Sequence, residues 1–156
     1  MALAFRGTLG GFPVPPYDFG DSGDWDPVGQ RLHFDAYDPL FDALDNFLAE
    51  INISDVLVTG HSLGAAMAEF FMDENPDNDV SGVEYEAVTF ASPQASFTND
   101  SRVLNIGHES DIVYSIVGTR GDNAVSGLNV VFDENFFGDI SDVENQHSIS
   151  ESYIES

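Results

Sequence analysis

The chain has 156 residues, 42% of them hydrophobic, and it carries 28 Asp and Glu against four arginines and no lysine, for a formal net charge of -24. A surface of this sign repels phosphate backbones and anionic membranes, so nucleic acid is excluded as an expected partner. Cysteine is absent, which excludes disulfides and thiolate metal sites, and no apolar run approaches the roughly 20 residues that span a bilayer. The length suits a single domain over 1–156.

The first third of the chain predicts a strand, a long loop and a helix. Ala2 to Thr8 opens with an apolar run of strand length, which ends at Gly7. Residues 9–27 contain four prolines and four glycines, so they predict a long loop, and their aromatic residues favour a lid or a substrate wall. From Asp35 to Ile51 apolar residues recur at steps of three and four, which predicts an amphipathic helix. Its apolar positions are Tyr37, Leu40, Phe41, Leu44, Phe47, Leu48 and Ile51.

The central motif predicts a short apolar strand (Val56 to Thr59), a turn, and then a helix (Ala65 to Met72). The turn has the Gly-x-Ser-x-Gly pattern of a nucleophile elbow, and the flanking strand and helix supply the context that this pattern requires. Glycines are needed there because a strained turn leaves no room for a side chain two residues to either side of the nucleophile. The predicted nucleophile is Ser62, exposed at the carboxyl edge of a sheet. The turn consists of Gly60, His61, Ser62, Leu63 and Gly64.

The second half of the chain predicts further strands. Val83 to Ala91 and Arg102 to Gly107 are apolar runs of strand length, and Val125 to Phe132 is a weaker candidate. The acidic tail over 133–156 is expected to be loop with a short helix. A helix between nearly continuous apolar strands indicates an α/β fold, with a mostly parallel sheet flanked by helices.

A serine nucleophile needs a base, and this elbow is expected in the chain order serine, acid, histidine. His33 precedes Ser62 in the chain. His61 is the immediate neighbour of Ser62, too close in sequence for its imidazole to be directed at the serine hydroxyl. His108 lies where the acid is expected. His147 satisfies the order and is the predicted base.

The acid should lie beyond the carboxyl end of a strand, because catalytic groups of open α/β sheets cluster there. Asp111 stands four residues past the predicted strand end at Gly107 and is the predicted acid. Glu109 is the nearest competitor.

An oxyanion formed during acyl transfer needs fixed N–H donors. One is expected from the amide of Leu63, which follows the nucleophile at a helix amino terminus. The other is expected from the loop after an earlier strand, where Thr8 follows Gly7.

Four sequence motifs follow one another along the chain: Phe5-Arg6-Gly7-Thr8, Val58-Thr59-Gly60-His61-Ser62-Leu63-Gly64-Ala65-Ala66, Thr89-Phe90-Ala91-Ser92-Pro93 and a late histidine. Together they resemble the class 3 (fungal-type) lipase family of α/β-hydrolases. The run from Ala91 to Gln94, followed by Val103 to Asp111, is similar to bacterial secreted lipases that carry a calcium-binding repeat region. The resemblance spans residues 4–147.

The resemblance implies an α/β-hydrolase-like fold that is compact and truncated at the N-terminus. It implies a triad of Ser62, Asp111 and His147, and an oxyanion hole from Thr8 and Leu63. The expected function is a serine-dependent carboxylic ester hydrolase, a lipase acting on acylglycerols or an esterase. A phospholipase or a polyester depolymerase uses the same triad, and a non-catalytic binding protein with this fold is the alternative from another class.

Partners and location follow from the same resemblance. The expected partner is a small-molecule or lipid ester, with a transient lipid interface, and the oligomeric state stays open. An extracellular location is expected, although the first residues lack the features of a secretory signal.

The acidic excess has two interpretations. One is a halophilic solubility device, since salt screens self-repulsion. The other is a structural Ca²⁺ ion, which takes several hard oxygen ligands. No cofactor is required for the expected chemistry and no metal ligand is assigned. The candidates for calcium are Asp18, Asp21, Asp24 and Asp26, whose spacing differs from that of an EF-hand loop.

Overall fold

The computed structural model describes residues 1–7, 27–75, 82–93, 95, 99–108, 111, 113–114 and 128–132. Within these segments the chain forms five strands and three helices. In chain order they are β1 (Ala2–Phe5), α1 (Pro27–Asp35), α2 (Asp38–Ile51), β2 (Asp55–His61), α3 (Leu63–Glu74), β3 (Glu84–Phe90), β4 (Val103–His108) and β5 (Leu128–Phe132).

The five strands form one sheet in the order β1-β2-β3-β4-β5, and every neighbouring pair is parallel. The predicted parallel sheet is therefore confirmed. His61 is in register with Phe90, and Phe90 with Ile106, so β2, β3 and β4 end at the same edge. Because the strands are added in one direction, right-handed crossovers put their helices on one face of the sheet.

That shared face carries the hydrophobic core. Burial alternates along β2 and β3, so that Val58 is buried while its neighbour Leu57 is 43% exposed. Phe71 of α3 packs edge-on against Tyr85 of the sheet, with ring centroids 5.2 Å apart, and Phe41 of α2 lies 5.3 Å from Phe71. The three helices therefore cover one face, and the predicted α/β arrangement is confirmed.

Helix α2 confirms the predicted amphipathic helix, with a later start. The prediction began at Asp35, where α1 ends instead, and Pro39 occupies the first turn of α2, where a missing N–H costs nothing. Leu48 is buried against the core. The predicted apolar stripe divides in two: Tyr37, Phe41 and Leu44 pack against the core, whereas Leu40, Phe47 and Ile51 are 63%, 46% and 46% exposed.

Helix α1 has no counterpart among the predicted elements. It begins at Pro27, the last residue of the predicted loop, and the rest of that loop lies outside the described residues. Phe34 anchors the helix: it is fully buried, and its ring centroid lies 5.6 Å from that of Phe70 on α3. The helix is therefore held by tertiary contacts more than by its own periodicity.

The remaining predicted elements are confirmed with shifted ends. The elbow helix is longer than predicted and runs over Leu63–Glu74, and the last strand is shorter and runs over Leu128–Phe132. The predicted loop and short helix of the tail lie outside the described residues. In the part of the chain that is described, no helix is long and apolar enough to cross a membrane.

Candidate active site

Ser62 occupies a strained turn between β2 and α3. Its backbone angles are φ 57° and ψ -126°, and it stands between the last residue of the strand and the first residue of the helix. Its amide donates to the Phe90 carbonyl at 3.0 Å, and its carbonyl accepts from the Ala65 amide at 2.9 Å. Such a conformation in a residue other than glycine costs about 1–3 kcal/mol and persists only where the surroundings enforce it. The turn therefore has the geometry of a nucleophile elbow.

The glycines of the motif are sites of close backbone approach. A Cβ atom on Gly60 would overlap the backbone of Gly64, and one on Gly64 would overlap the end of β1 at Phe5. A Cβ atom on Gly7 would lie 2.7 Å from the His61 carbonyl oxygen and 3.6 Å from the Cβ of Ser62. The backbone that leaves β1 therefore passes directly against the elbow.

The amide of Leu63 lies at the amino end of α3. The first N–H groups of an α-helix have no acceptor within the helix, and they carry a positive partial charge. This is the position that was predicted to supply one oxyanion donor. Thr8, the other predicted donor, directly follows the described residue Gly7 but is itself outside the described residues.

Asp111 is fully buried just beyond the carboxyl end of β4. Its amide donates to the His108 carbonyl at 3.0 Å. Its carboxylate oxygen Oδ1 accepts from the amides of Val113 at 2.8 Å and Tyr114 at 3.2 Å. These bonds hold the carboxyl group in one orientation at the edge of the sheet.

Ser62 and Asp111 share that edge. Ser62 follows β2 and Asp111 follows β4, with β3 between them, and all three strands are parallel. Two strand spacings separate the ends of β2 and β4 by about 10 Å. His147, the predicted base, and Glu109, the competing acid, lie outside the described residues.

The other histidines occupy different environments. His61 is the last residue of β2 and is partly buried, and His108 is buried at the end of β4. His33 is exposed on α1, with its ring 5.7 Å from that of Tyr37.

A family comparison identifies the family of the chain. The family described as Lipase (class 3) matches residues 30–120, more than half of the chain. The chain belongs to the class 3 lipase family. The matched segment includes Ser62 and Asp111, whereas Thr8 and His147 lie outside it.

Solved structures similar to this class 3 lipase chain include the crystal structure of Lip2 lipase from Yarrowia lipolytica. The two share 23% sequence identity with a TM-score of 0.48, over 67% of this chain and 42% of that one. The chain thus spans less than half the length of that lipase. No match was found among curated proteins.

One functional candidate of this class 3 lipase chain was missed by the sequence interpretation. Glu69 is a charged residue within the otherwise apolar run of α3, and it is only 1% exposed. Its oxygen Oε1 accepts from the Ser92 hydroxyl at 2.5 Å, and Oε2 accepts from the Ala95 amide at 2.8 Å. The signal that the sequence offered was one acidic residue, Glu69, within the otherwise apolar run 63–72 of α3.

The described segments contain no group of three or more histidine, aspartate or glutamate side chains arranged to hold a metal ion. The four aspartates that were predicted as calcium candidates lie outside those segments.

Proposed function

We propose that this chain is a serine-dependent carboxylic ester hydrolase, acting on acylglycerols or on simpler acyl esters. The observation that carries the proposal is the backbone of Ser62, whose positive φ lifts a hydroxyl residue out of the sheet at the amino end of α3. An ordinary helix N-cap residue lies in the β region with negative φ, whereas the serine of a nucleophile elbow is held on a strained turn. Membership of the class 3 lipase family supports the same chemistry.

The proposed mechanism uses three side chains. His147 accepts the proton of the Ser62 hydroxyl while the oxygen attacks the ester carbonyl, and Asp111 orients the imidazole. His147 then protonates the leaving alcohol, which leaves an acyl group on Ser62. Water, activated by the same imidazole, attacks this ester and releases the acid. The buried and doubly hydrogen-bonded carboxyl group of Asp111 supports its assignment as the orienting group.

The amides of Leu63 and Thr8 are the proposed oxyanion hole. Two donors are needed at fixed positions because negative charge develops on the carbonyl oxygen in the transition state. The helix amino terminus at Leu63 supports the first assignment. The close contact of Gly7 with His61 and Ser62 supports the second, since Thr8 is bonded to Gly7.

The surroundings of this site complete the proposal. The loop predicted over residues 9–27, whose last residue belongs to α1, is proposed as a lid or substrate wall within a single domain over 1–156. The substrate is proposed to be met at a transient lipid interface outside the cell. No cofactor takes part. Neutral acyl esters are the proposed substrates, because the strongly acidic chain repels esters with anionic head groups.

The test compares Ser62→Ala with Ser101→Ala, which removes an exposed serine in the turn before β4. Ser62→Ala is expected to lower p-nitrophenyl ester hydrolysis by at least about 10³-fold, because the nucleophile is removed, while circular dichroism stays unchanged. Ser101→Ala keeps full activity.

A fluorophosphonate probe supplies the independent measurement. It should label Ser62 in the wild type and fail to label Ser62→Ala. Hydrolysis by Ser62→Ala at the wild-type rate contradicts the proposal, and a folded wild-type protein that neither reacts with the probe nor hydrolyses acylglycerol, phospholipid or polyester substrates is a binding protein instead.

A further inference from the structure

Glu69 is a buried carboxylate on α3, the helix that follows the proposed nucleophile. It lies seven residues past Ser62 on α3, which is about 10 Å along the helix axis. Its neighbours Ala68 and Phe70 are buried hydrophobic residues. An ionised carboxylate is costly to bury unless hydrogen bonds compensate it, so its partners indicate why it is tolerated there.

The partners of Glu69 come from the segment that follows β3. Ser92 donates its hydroxyl to Oε1 at 2.5 Å, and Ala95 donates its amide to Oε2 at 2.8 Å. Ser92 is itself fully buried. The chain leaves the sheet immediately before, at Ala91, with a φ of 51° that an alanine rarely adopts. Both oxygens of one carboxylate therefore bind segment 91–95 to the elbow helix.

The residues at the start of this segment contact both neighbouring strands. The Phe90 carbonyl accepts the amide of Ser62 at 3.0 Å, and the Ala91 amide donates to the Ile106 carbonyl of β4 at 3.0 Å. Asp111 follows β4 by three residues. The adjoining residues Phe90 and Ala91 thus connect the turn of the proposed nucleophile to β4, the strand that leads to the proposed acid.

We propose that Glu69 is a positioning residue for ester hydrolysis: by holding segment 91–95 against α3, it fixes the Ser62 turn relative to the edge that carries Asp111. The role rests on the proposed function, since it concerns the same triad. Glu69 touches no reacting atom. It acts through Phe90 and Ala91, whose backbone groups bond to Ser62 and to Ile106 of β4.

The experiment uses Glu69→Met, which preserves the length of the side chain and removes both acceptors. Active sites are counted by the burst of p-nitrophenol, so that turnover is expressed per folded, acylated site. Glu69→Met is expected to lower kcat per site by about 10- to 100-fold, the effect of a displaced reacting group, with KM within about threefold of the wild type. Glu69→Gln should recover most of this loss, because an amide oxygen can accept from Ala95 while the amide N–H donates to the Ser92 oxygen.

Two further variants keep the test decisive. Ser92→Ala removes the hydrogen bond from the Ser92 hydroxyl to Glu69. Its expected loss in kcat is about three- to tenfold. This variant is used in place of Glu69→Met if Glu69→Met does not fold. Arg102→Gln removes bonds at the far end of α3, and it should lower the melting temperature while kcat per site stays unchanged.

The outcomes separate this role from the proposed function. Wild-type kcat per titrated site in both Glu69→Met and Ser92→Ala, with only a lower melting temperature, overturns the positioning role and leaves the hydrolase intact. A decrease of the same size in Arg102→Gln also overturns it, because general loosening of α3 then accounts for the effect. A wild-type protein that is neither acylated nor active overturns the proposed function, and the positioning role with it.

Discussion

Gly60 and Gly64 leave no room for a side chain within the elbow. Their backbones meet beneath Ser62, and Gly64 also contacts the end of β1. The strain of the serine backbone is enforced from both sides, by the bond to Phe90 and by the close approach of β1. A side chain at either glycine pushes apart the surfaces that hold the proposed nucleophile and the proposed oxyanion loop.

Gly64→Ala tests this arrangement. The added methyl group would lie 2.8 Å from the Arg6 carbonyl carbon and 2.9 Å from that of Phe5, and it would meet backbone that cannot rotate away. We expect the free energy of unfolding to fall by about 1–3 kcal/mol, as for other overpacked sites. We expect esterase activity to fall by at least about 10²-fold, because β1 and Thr8 are displaced.

Gly82→Ala is the matched control for this glycine substitution. Gly82 has open space around it but a φ of 71°, so alanine is strained there and costs about 1 kcal/mol without touching the site. Denaturant unfolding and p-nitrophenyl ester turnover measure both variants. Full activity in Gly64→Ala would contradict the close packing of β1 on the elbow.

Helix α3 is held at both ends, by different chemistry. Its amino end is held by the glycine contacts with β1, and its carboxyl end by two of the four arginines of the chain. Arg102 donates to the carbonyls of Asn75 at 2.7 Å and Met72 at 3.2 Å, and Arg31 pairs with Glu74. Cations at this end satisfy the last carbonyls and oppose the negative end of the helix dipole. The helix that presents Ser62 is thus restrained at both ends.

Arg102→Gln is expected to destabilise the protein. Arg102 is mostly buried, and it supplies charge-assisted bonds both to α3 and to Asp100, whose carboxylate is 2.5 Å from Nη2. We expect a loss of about 2 kcal/mol in the free energy of unfolding at neutral pH, the scale of bonds to charged groups. Urea denaturation measures the loss. Arg102→Lys should recover only part of it, because an ammonium group cannot reproduce the planar array of N–H donors of the guanidinium group. An unchanged urea midpoint in Arg102→Gln would contradict the role of Arg102 in stabilising the carboxyl end of α3.

The Asp100–Arg102 pair also predicts a pH dependence. Burial raises the pKa of Asp100, but hydrogen bonds from the side chain and amide of Arg102, together with its charge, outweigh burial and lower that pKa below 3.8. The stabilisation is therefore complete above the unfolded value of 3.8 and is lost as the pH falls through the folded value. The wild type should be more stable than Asp100→Asn at neutral pH, and this difference in the free energy of unfolding should become smaller as the pH falls below about 4. A difference that stays constant down to pH 2 would contradict the assignment.

The molecule as a whole is dominated by one sign of charge. With a formal net charge of -24, repulsion acts on every folded element, and the ion pairs of Arg31 and Arg102 offset little of it. Salt shortens the range of this repulsion to about 3 Å at 1 M, from about 30 Å at 0.01 M. The fold should therefore be more stable at high ionic strength.

A salt titration tests the halophilic interpretation. We expect the melting temperature to rise by at least about 3 °C between 0.01 M and 1 M NaCl, the shift that roughly 1 kcal/mol gives for a domain of this size. The double variant Asp42→Asn with Glu50→Gln, which neutralises two exposed positions of α2, should reduce this rise. A melting temperature indifferent to salt in the wild type would refute the interpretation. A rise that Ca²⁺ at micromolar concentration reproduces would favour a structural calcium ion.

The sequence by itself determined the elements whose signals are local. The strand, turn and helix around Ser62, the amphipathic helix α2, and the apolar strands of a parallel sheet all follow from short patterns. Backbone sterics and side-chain periodicity act over a few residues, so they can be interpreted without knowing any partner. The order of Ser62 and Asp111 along one sheet edge belongs here too, whereas Thr8 and His147 stay predictions.

Only the tertiary structure decided which apolar surfaces find partners. The periodicity of α2 marked seven positions as one face, yet Leu40, Phe47 and Ile51 are exposed because the core contacts just part of that arc. Helix α1 owes its place to the burial of Phe34 against α3, and Glu69 owes its burial to Ser92 and Ala95, which lie 23 and 26 residues away in the chain. Contacts over such distances depend on how the strands pair, and no local pattern carries that information.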